Sequence, residues 1–369
     1  MRKSLFVLAF VLFYVQITTP AVRAAVYYVS PSGSDFGPGT RQQPFRTIQK
    51  AANHVRPGDT VIVENGLYVD LTRSSLVRIR QSGTAHLWIT FKSAKKWGAI
   101  LDGGSNTTNY GVSFDDVGYI KVEGFQLRGF CRVGFFLNSD DHDIELRDNL
   151  IHSIGRRIVP PGDDGSDAIF IGRQPRRIVI AGNVLHTVGR FPSGADQDYN
   201  QDHGIYVRGR DIVIRNNILY DFRAGWQVHL YGGPADRVYI YDNTFAGANP
   251  GRQGQILIAS GQRNVVIRNN IFFKPNRCAI FPGKGAPITI ENNITSRGIA
   301  LLCGPAPLNS EIKSNLVGVE PEFVDPANHD YRLKGIPQAR KSAASIGAPK
   351  KAAKSLADYL RTKNTKRSL

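Results

Sequence analysis

Two segments of the chain collect side chains of the kind that move protons and hold cations. SIGRRIVPPGDDGSD runs from Ser153 to Asp167 and TVGRFPSGADQDYNQDH from Thr187 to His203, and together they carry Asp163, Asp164, Asp167, Asp196, Asp198 and Asp202. Just beyond them stand Tyr206, Arg208, Trp226 and His229. A carboxylate beside an imidazole holds the ring's tautomer and keeps its pKa near the working pH, so Asp167 next to His203 would form an acid–base pair. Tyr206 would be a second acid or base, and Arg208 a bidentate partner for a substrate carboxylate. Trp226 offers a flat apolar face of the sort that stacks on a sugar ring, with His229 as a further substrate contact. Asp163, Asp164 and Asp202 are oxygen ligands suited to Ca²⁺. Against this, loop aspartates are more often turn formers than ligands.

These residues act together only if the fold brings them together, and a repeat says that it does. From Ile144 onward an apolar-x-apolar strand, two polar residues and an asparagine recur, at Asn149, Asn183, Asn217, Asn243, Asn270 and Asn293, with spacings of 34, 34, 26, 27 and 23 residues. A period of that length is one turn of a solenoid. The alternation and the Val and Ile content make the units β rather than helical. Upstream in each unit lies a second run, AIFI from Ala168, GIYV from Gly204, QVHL from Gln227 and QILI from Gln255. The expectation is an all-β fold, a single-stranded right-handed parallel β-helix, with the asparagines bonded into an internal ladder rather than acting as catalysts.

The repeat also serves as a ruler. Stacked turns place equivalent residues about 4.8 Å apart. Aligning the second runs puts Ile169, Ile205, Val228 and Ile256 inward and Phe170, Tyr206, His229 and Leu257 outward. Asp167 and His203 become strand neighbours with Trp226 one turn further, and Tyr206 neighbours His229. The two long turns, eight or more residues longer than the others, wall a groove on one side. His152, His186 and Tyr220 share another column and are read as stacked filler, and Arg147, Arg215 and Arg268 as a solvated face.

At 369 residues the chain needs no second core, because a solenoid grows by repetition. Residues 1–24 have the form of a secretory signal peptide: Arg2 and Lys3, an apolar run from Leu5 to Val15, and Val22-Arg23-Ala24. Residues 25–337 are assigned to the β-helix and 338–369 to a basic tail. Of the formal charge of +17, the tail holds +8 and the leader three positive charges, leaving +6 for the body. The tail reads as a solvated terminus or an arm for envelope polyanions. The expectation is a monomer, secreted or periplasmic, with no membrane span and no nucleic-acid partner. Cys278 and Cys303 lie 25 residues apart, about one turn, which allows either a bridge between turns or two buried thiols. An amphipathic segment, Thr47 to Val55, is placed as a helix capping the open N-terminal end of the core.

The end signatures carry a resemblance. YYVSPSGSD at Tyr27 to Asp35, PFRTIQKA at Pro44 to Ala51, PGDTVIVENGLY at Pro57 to Tyr68 and PEFVDPANHDYRL at Pro321 to Leu333 resemble exported bacterial β-helix proteins of the pectate-lyase-like superfamily. The resemblance implies an acidic polysaccharide as substrate and a polysaccharide lyase or related C5-epimerase, in which a base removes the proton beside the sugar carboxylate. Either Arg208 or bound Ca²⁺ would neutralise the developing charge. DHGIYVRG at Asp202 to Gly209 is similar to the His-Gly strand of mannuronan epimerases, whose Asp-Pro-His signature is absent. SDAIFI and DHGIYV are similar to paired strands of polygalacturonase-type hydrolases, with Ser166 where that family has its first aspartate. A glycoside hydrolase and a non-catalytic polysaccharide-binding protein are the alternatives.

Overall fold

The computed structural model describes residues 24–334 except 73, 106, 156–164, 190–200, 223 and 248–251. The signal-peptide pattern, the basic tail, and the loop residues Asp163, Asp164, Asp196 and Asp198 therefore lie outside the described residues. Within them the chain winds through three parallel sheets of eleven, nine and ten strands. One turn runs Asp167–Ile171 in the nine-stranded sheet, Arg176–Ala181 in the eleven-stranded and Val184–Val188 in the ten-stranded, before His203–Val207 begins the next. This is the expected parallel β-helix. Ile169, Ile205, Val228 and Ile256 stand in register and are fully buried. Each such side chain contributes about 1.5–3 kcal/mol by leaving water.

The asparagine corner forms a continuous ladder. The Nδ2 of Asn149 donates to the Oδ1 of Asn183 at 3.1 Å, and the pattern repeats through Asn217, Asn243, Asn270 and Asn293. It extends to a seventh member, Asn315, whose Oδ1 accepts from Asn293 at 3.0 Å. Each accepting oxygen also takes a backbone N–H of the preceding asparagine, so the corner's buried amides are satisfied. The residue before each rung has a left-handed backbone: Asp148, Gly182, Asn216, Asp242, Asn269, Asn292 and Ser314 have φ between 53° and 70°. Gly, Asn and Asp tolerate that conformation best, which accounts for the recurring DN, GN and NN dipeptides.

Helix Ile48–His54 covers the N-terminal end, capped by the Thr47 side chain, and buries Ile48, Gln49, Ala51 and Ala52. Gln49 Oε1 accepts the Arg78 N–H at 2.7 Å and its Nε2 donates to the Arg78 carbonyl at 3.0 Å. The amide thus takes the place of a neighbouring strand along the sheet edge at Ser75–Ile79. At the other end an antiparallel hairpin, Phe323–Asp325 with Asp330–Leu333, sets the Phe323 and Tyr331 rings edge-on to Phe273. Cys278 and Cys303 form a disulfide between neighbouring turns, with Cα atoms 5.2 Å apart. Among the described residues no helix is long and apolar enough to cross a membrane.

Candidate active site

The long loops leave the ten-stranded sheet and re-enter at the nine-stranded one, so their described ends, Gly165 and Gln201, stand at the rim of a groove on that sheet's outer face. Its volume is about 940 Å³. Phe136, Phe170, Tyr206, His229 and Leu257 occupy one outward column, as strand alternation requires. Tyr110, Phe136, Phe170 and Tyr206 stack successively at 4.5, 5.4 and 5.4 Å between ring centroids. The stack breaks at His229, which meets Tyr206 edge-on at 5.0 Å and lies parallel to Tyr231 at 5.2 Å.

At that break two histidines bond to each other. His203 is 3 % exposed, and its Nδ1 accepts the backbone N–H of Trp226 at 2.9 Å. Its Nε2 lies 2.7 Å from Nδ1 of His229. A backbone N–H can only donate, so His203 carries its proton on Nε2 and gives it to His229 Nδ1, which leaves the His229 proton on Nε2. Burial pushes both rings toward neutrality. His203 lies well below the ordinary histidine value, because of burial, then His229 and Arg252, and His229 is lowered to about 3 by burial and by the positive charge of Arg252.

The structure brings Asp167, His203, Tyr206, Arg208, Trp226 and His229 to this one groove. The registers Asp167 with His203 and Tyr206 with His229 are as expected. The expected roles change in three places. Asp167 Oδ1 accepts the backbone N–H of His203 at 3.2 Å, and both ring nitrogens are bonded elsewhere, so Asp167 does not set the tautomer or hold the ring pKa near neutrality. Asp202 is fully buried and its Oδ1 accepts the Ser166 N–H at 2.9 Å, so that oxygen supports the corner backbone. Trp226 is only 5 % exposed, edge-on to Phe281, with the Arg252 guanidinium 5.9 Å from its ring centroid. Its face is therefore occupied by a cation–π contact. Arg208 spends Nε and Nη2 on the Gly232 carbonyl at 3.1 and 2.8 Å, leaving Nη1 without a hydrogen bond among the described residues. No group of three His, Cys, Asp or Glu side chains among the described residues is placed to hold a metal ion.

Sequence reasoning missed Tyr110, Phe136, Arg132 and Arg252, which also line the groove. Carrying the outward column one turn upstream from Phe170 would have found Phe136, and carrying the Asp167 position two turns upstream would have found Tyr110. The arginines lie in corners, where no strand period marks direction.

Comparison with known proteins agrees with this architecture. Residues 110–319 match the right-handed β-helix region, and residues 27–155 match the Pel9A-like right-handed β-helix region. The chain belongs to the right-handed β-helix family and is similar to proteins of the pectate-lyase-like superfamily. An uncharacterised protein of Bacillus subtilis, YwoF, is 25% identical over 359 residues, covering 73% of this chain and 74% of that protein. The pectate lyase PEL9 of Emericella nidulans is 38% identical over 84 residues, 23% of this chain and 20% of that protein. The structure of XylC in complex with xylose has a TM-score of 0.54 at 14% identity, covering 74% of this chain and 67% of that one, a likeness of fold alone.

Proposed function

We propose that the protein is a polysaccharide lyase, or a closely related C5-epimerase, acting outside the cytoplasm on a polymer that contains uronic acid. One observation carries the reading: a groove of about 940 Å³ sets Tyr206 beside a histidine pair, in a lining that also holds Arg132, Arg208, Arg252 and a row of aromatic rings. In β-elimination the base takes the proton on the carbon next to the carboxylate. The electron pair forms the double bond, the bond to the glycosidic oxygen breaks, and that oxygen leaves with its pair and takes up a proton. Tyr206 is the base or acid, and Arg208, with Arg132 and Arg252, neutralises the carboxylate as charge builds. Asp163 and Asp164, expected with Asp202 to hold Ca²⁺, lie outside the described residues; Ca²⁺ held there would neutralise the same carboxylate. Export is supported by the leader pattern and by the Cys278–Cys303 disulfide, a bond that persists in oxidising compartments.

Hydrolysis is the second reading; it needs two carboxyls, and among the described groove residues Asp167, 4 % exposed, is the one carboxylate. The test is a panel of uronans, with and without Ca²⁺, read separately for ultraviolet absorbance of unsaturated products and for new reducing ends. Unsaturated products are expected, and Tyr206→Phe should lower kcat by about 10²- to 10⁴-fold. Reducing ends without unsaturation would replace the lyase by a hydrolase. Retention on a polymer column with neither product would leave a binding protein.

A further inference from the structure

The histidine pair has a polarity, and it is set from the buried side. Trp226 N–H points at His203 Nδ1, so the proton order along the pair is dictated by a backbone group that cannot reverse. His229 makes no hydrogen bond through Nε2 among the described residues, and its ring lines the groove. We propose that His229 presents a neutral Nε2–H to the substrate as a hydrogen-bond donor, and that His203 is the positioning residue that holds it in that form. Neither imidazole then acts as the proton-abstracting base. This rests on the lyase reading for its substrate: the acceptor is an oxygen of the sugar carboxylate, where negative charge accumulates as the neighbouring proton leaves. No bond is made or broken at His229.

The geometry excludes the usual role of an imidazole here. Accepting a proton at Nδ1 would set two N–H groups head-on across the 2.7 Å contact with His203, and Nε2 already carries its proton. A dyad that became cationic would also face Arg252, whose charge opposes it. The other groups around the pair are Asp167, whose carboxylate is turned to the His203 backbone, and Tyr206, Arg208 and Tyr231 on the groove side. None supplies a carboxylate to a ring nitrogen. A neutral imidazole fixed with its N–H toward a developing oxyanion polarises it without first taking a proton from solvent.

The first experiment does not depend on turnover. Long-range ¹⁵N–¹H spectra of the histidine-labelled full chain, assigned by the loss of signals in His229→Gln and His203→Gln, should show both rings protonated on Nε2 and unchanged from pH 8 to pH 5. A ring protonated on Nδ1, or a titration near pH 6.5, overturns the proposal. In His203→Leu, which removes the lock while keeping bulk, the His229 ring should lose its fixed Nε2–H form and populate both tautomers; if it stays in one tautomer, His203 does not position it. The second experiment uses whichever uronan is turned over. His229→Ala should lower kcat by about 10²- to 10³-fold, and His229→Gln, which keeps a side-chain N–H, should recover to within about tenfold of the parent. Equal losses in the two variants, or an acidic limb near pH 6.5 in the parent kcat profile, would show a base instead of a donor. If no polymer is cleaved, the lyase reading fails while the spectra still decide the state of the pair.

Discussion

The molecule stacks histidines on two of its sheets, with opposite outcomes. On the ten-stranded sheet His152 and His186 are rungs of one column, ring centroids 4.8 Å apart and planes 3° from parallel, continued by Tyr220 and His329. Each ring is occupied sideways by its own neighbourhood. Gln126 lies 2.8 Å from His152 Nε2, Ser153 3.0 Å from His152 Nδ1, and Thr187 2.9 Å from His186 Nδ1. The Thr187 hydroxyl donates to Asp221, so His186 must donate to Thr187 and carries its proton on Nδ1. On the nine-stranded sheet His203 and His229 are 4.0 Å apart and tilted by 58°, nitrogen to nitrogen, with protons on Nε2. Stacking through faces makes histidine a wall. Tilting one ring turns the same spacing into a hydrogen bond that ends in the groove.

Four measurements press on that contrast. The largest effect is expected from exchanging the pairs under one substitution: His229→Ala should cost about 10²- to 10³-fold in kcat, and His186→Ala should leave kcat within about twofold. Comparable losses in both would erase the distinction. Next comes the corner that holds both sheets in register. Asn217→Ala strips partners from Asn183 N–H and the Ile180 carbonyl, both buried, and should lower unfolding stability by about 3 kcal/mol in urea titration. The partly exposed end rung, Asn315→Ala, should cost about 1 kcal/mol.

A third measurement reads the buried pair through pH. His229 is lowered to about 3 in the folded state from about 6.5 unfolded, so below pH 6.5 the unfolded chain binds the proton and the folded one does not. Stability from the neutral ring is complete above pH 6.5 and falls as pH drops toward 3. Between pH 7.5 and pH 5 the parent should lose about 2 kcal/mol more than His229→Gln does. Equal losses would mean that the ring is protonated in place. The smallest effect is His186→Leu, an apolar ring replacement in the filler column: less than about 1 kcal/mol in stability and no change in pH profile. A lost activity there would make the second column a functional surface.

Much of the fold was legible because its cause is local and repeated. Alternation with Val and Ile marks strands, and a DN, GN or NN dipeptide marks a left-handed corner, so six rungs announce themselves and only the weak last rung, Asn315, escaped. Register followed by counting, which is why Asp167 met His203 and Tyr206 met His229. The groove's chemistry was less legible. Asp202 sits beside His203 in sequence, yet its side chain turns into the corner to accept the Ser166 N–H, because an unsatisfied buried amide costs more than a solvated carboxylate gains. Arg252 and Arg132 come from corners whose direction depends on neighbouring turns. The two cysteines were a turn apart on paper, but the Cα separation of 5.2 Å is what closes the bridge.

Residue order alone therefore establishes the solenoid, the asparagine corner and the side of the sheet on which the strand-borne aromatic and histidine side chains emerge, since periodicity dictates direction. Tertiary structure decides what those side chains do. Whether a histidine is wall or donor depends on a few tens of degrees of ring tilt and on one backbone N–H, that of Trp226, delivered from the next turn. Neither is encoded within the strand that carries the histidine, because hydrogen-bond polarity is a property of the contact between turns.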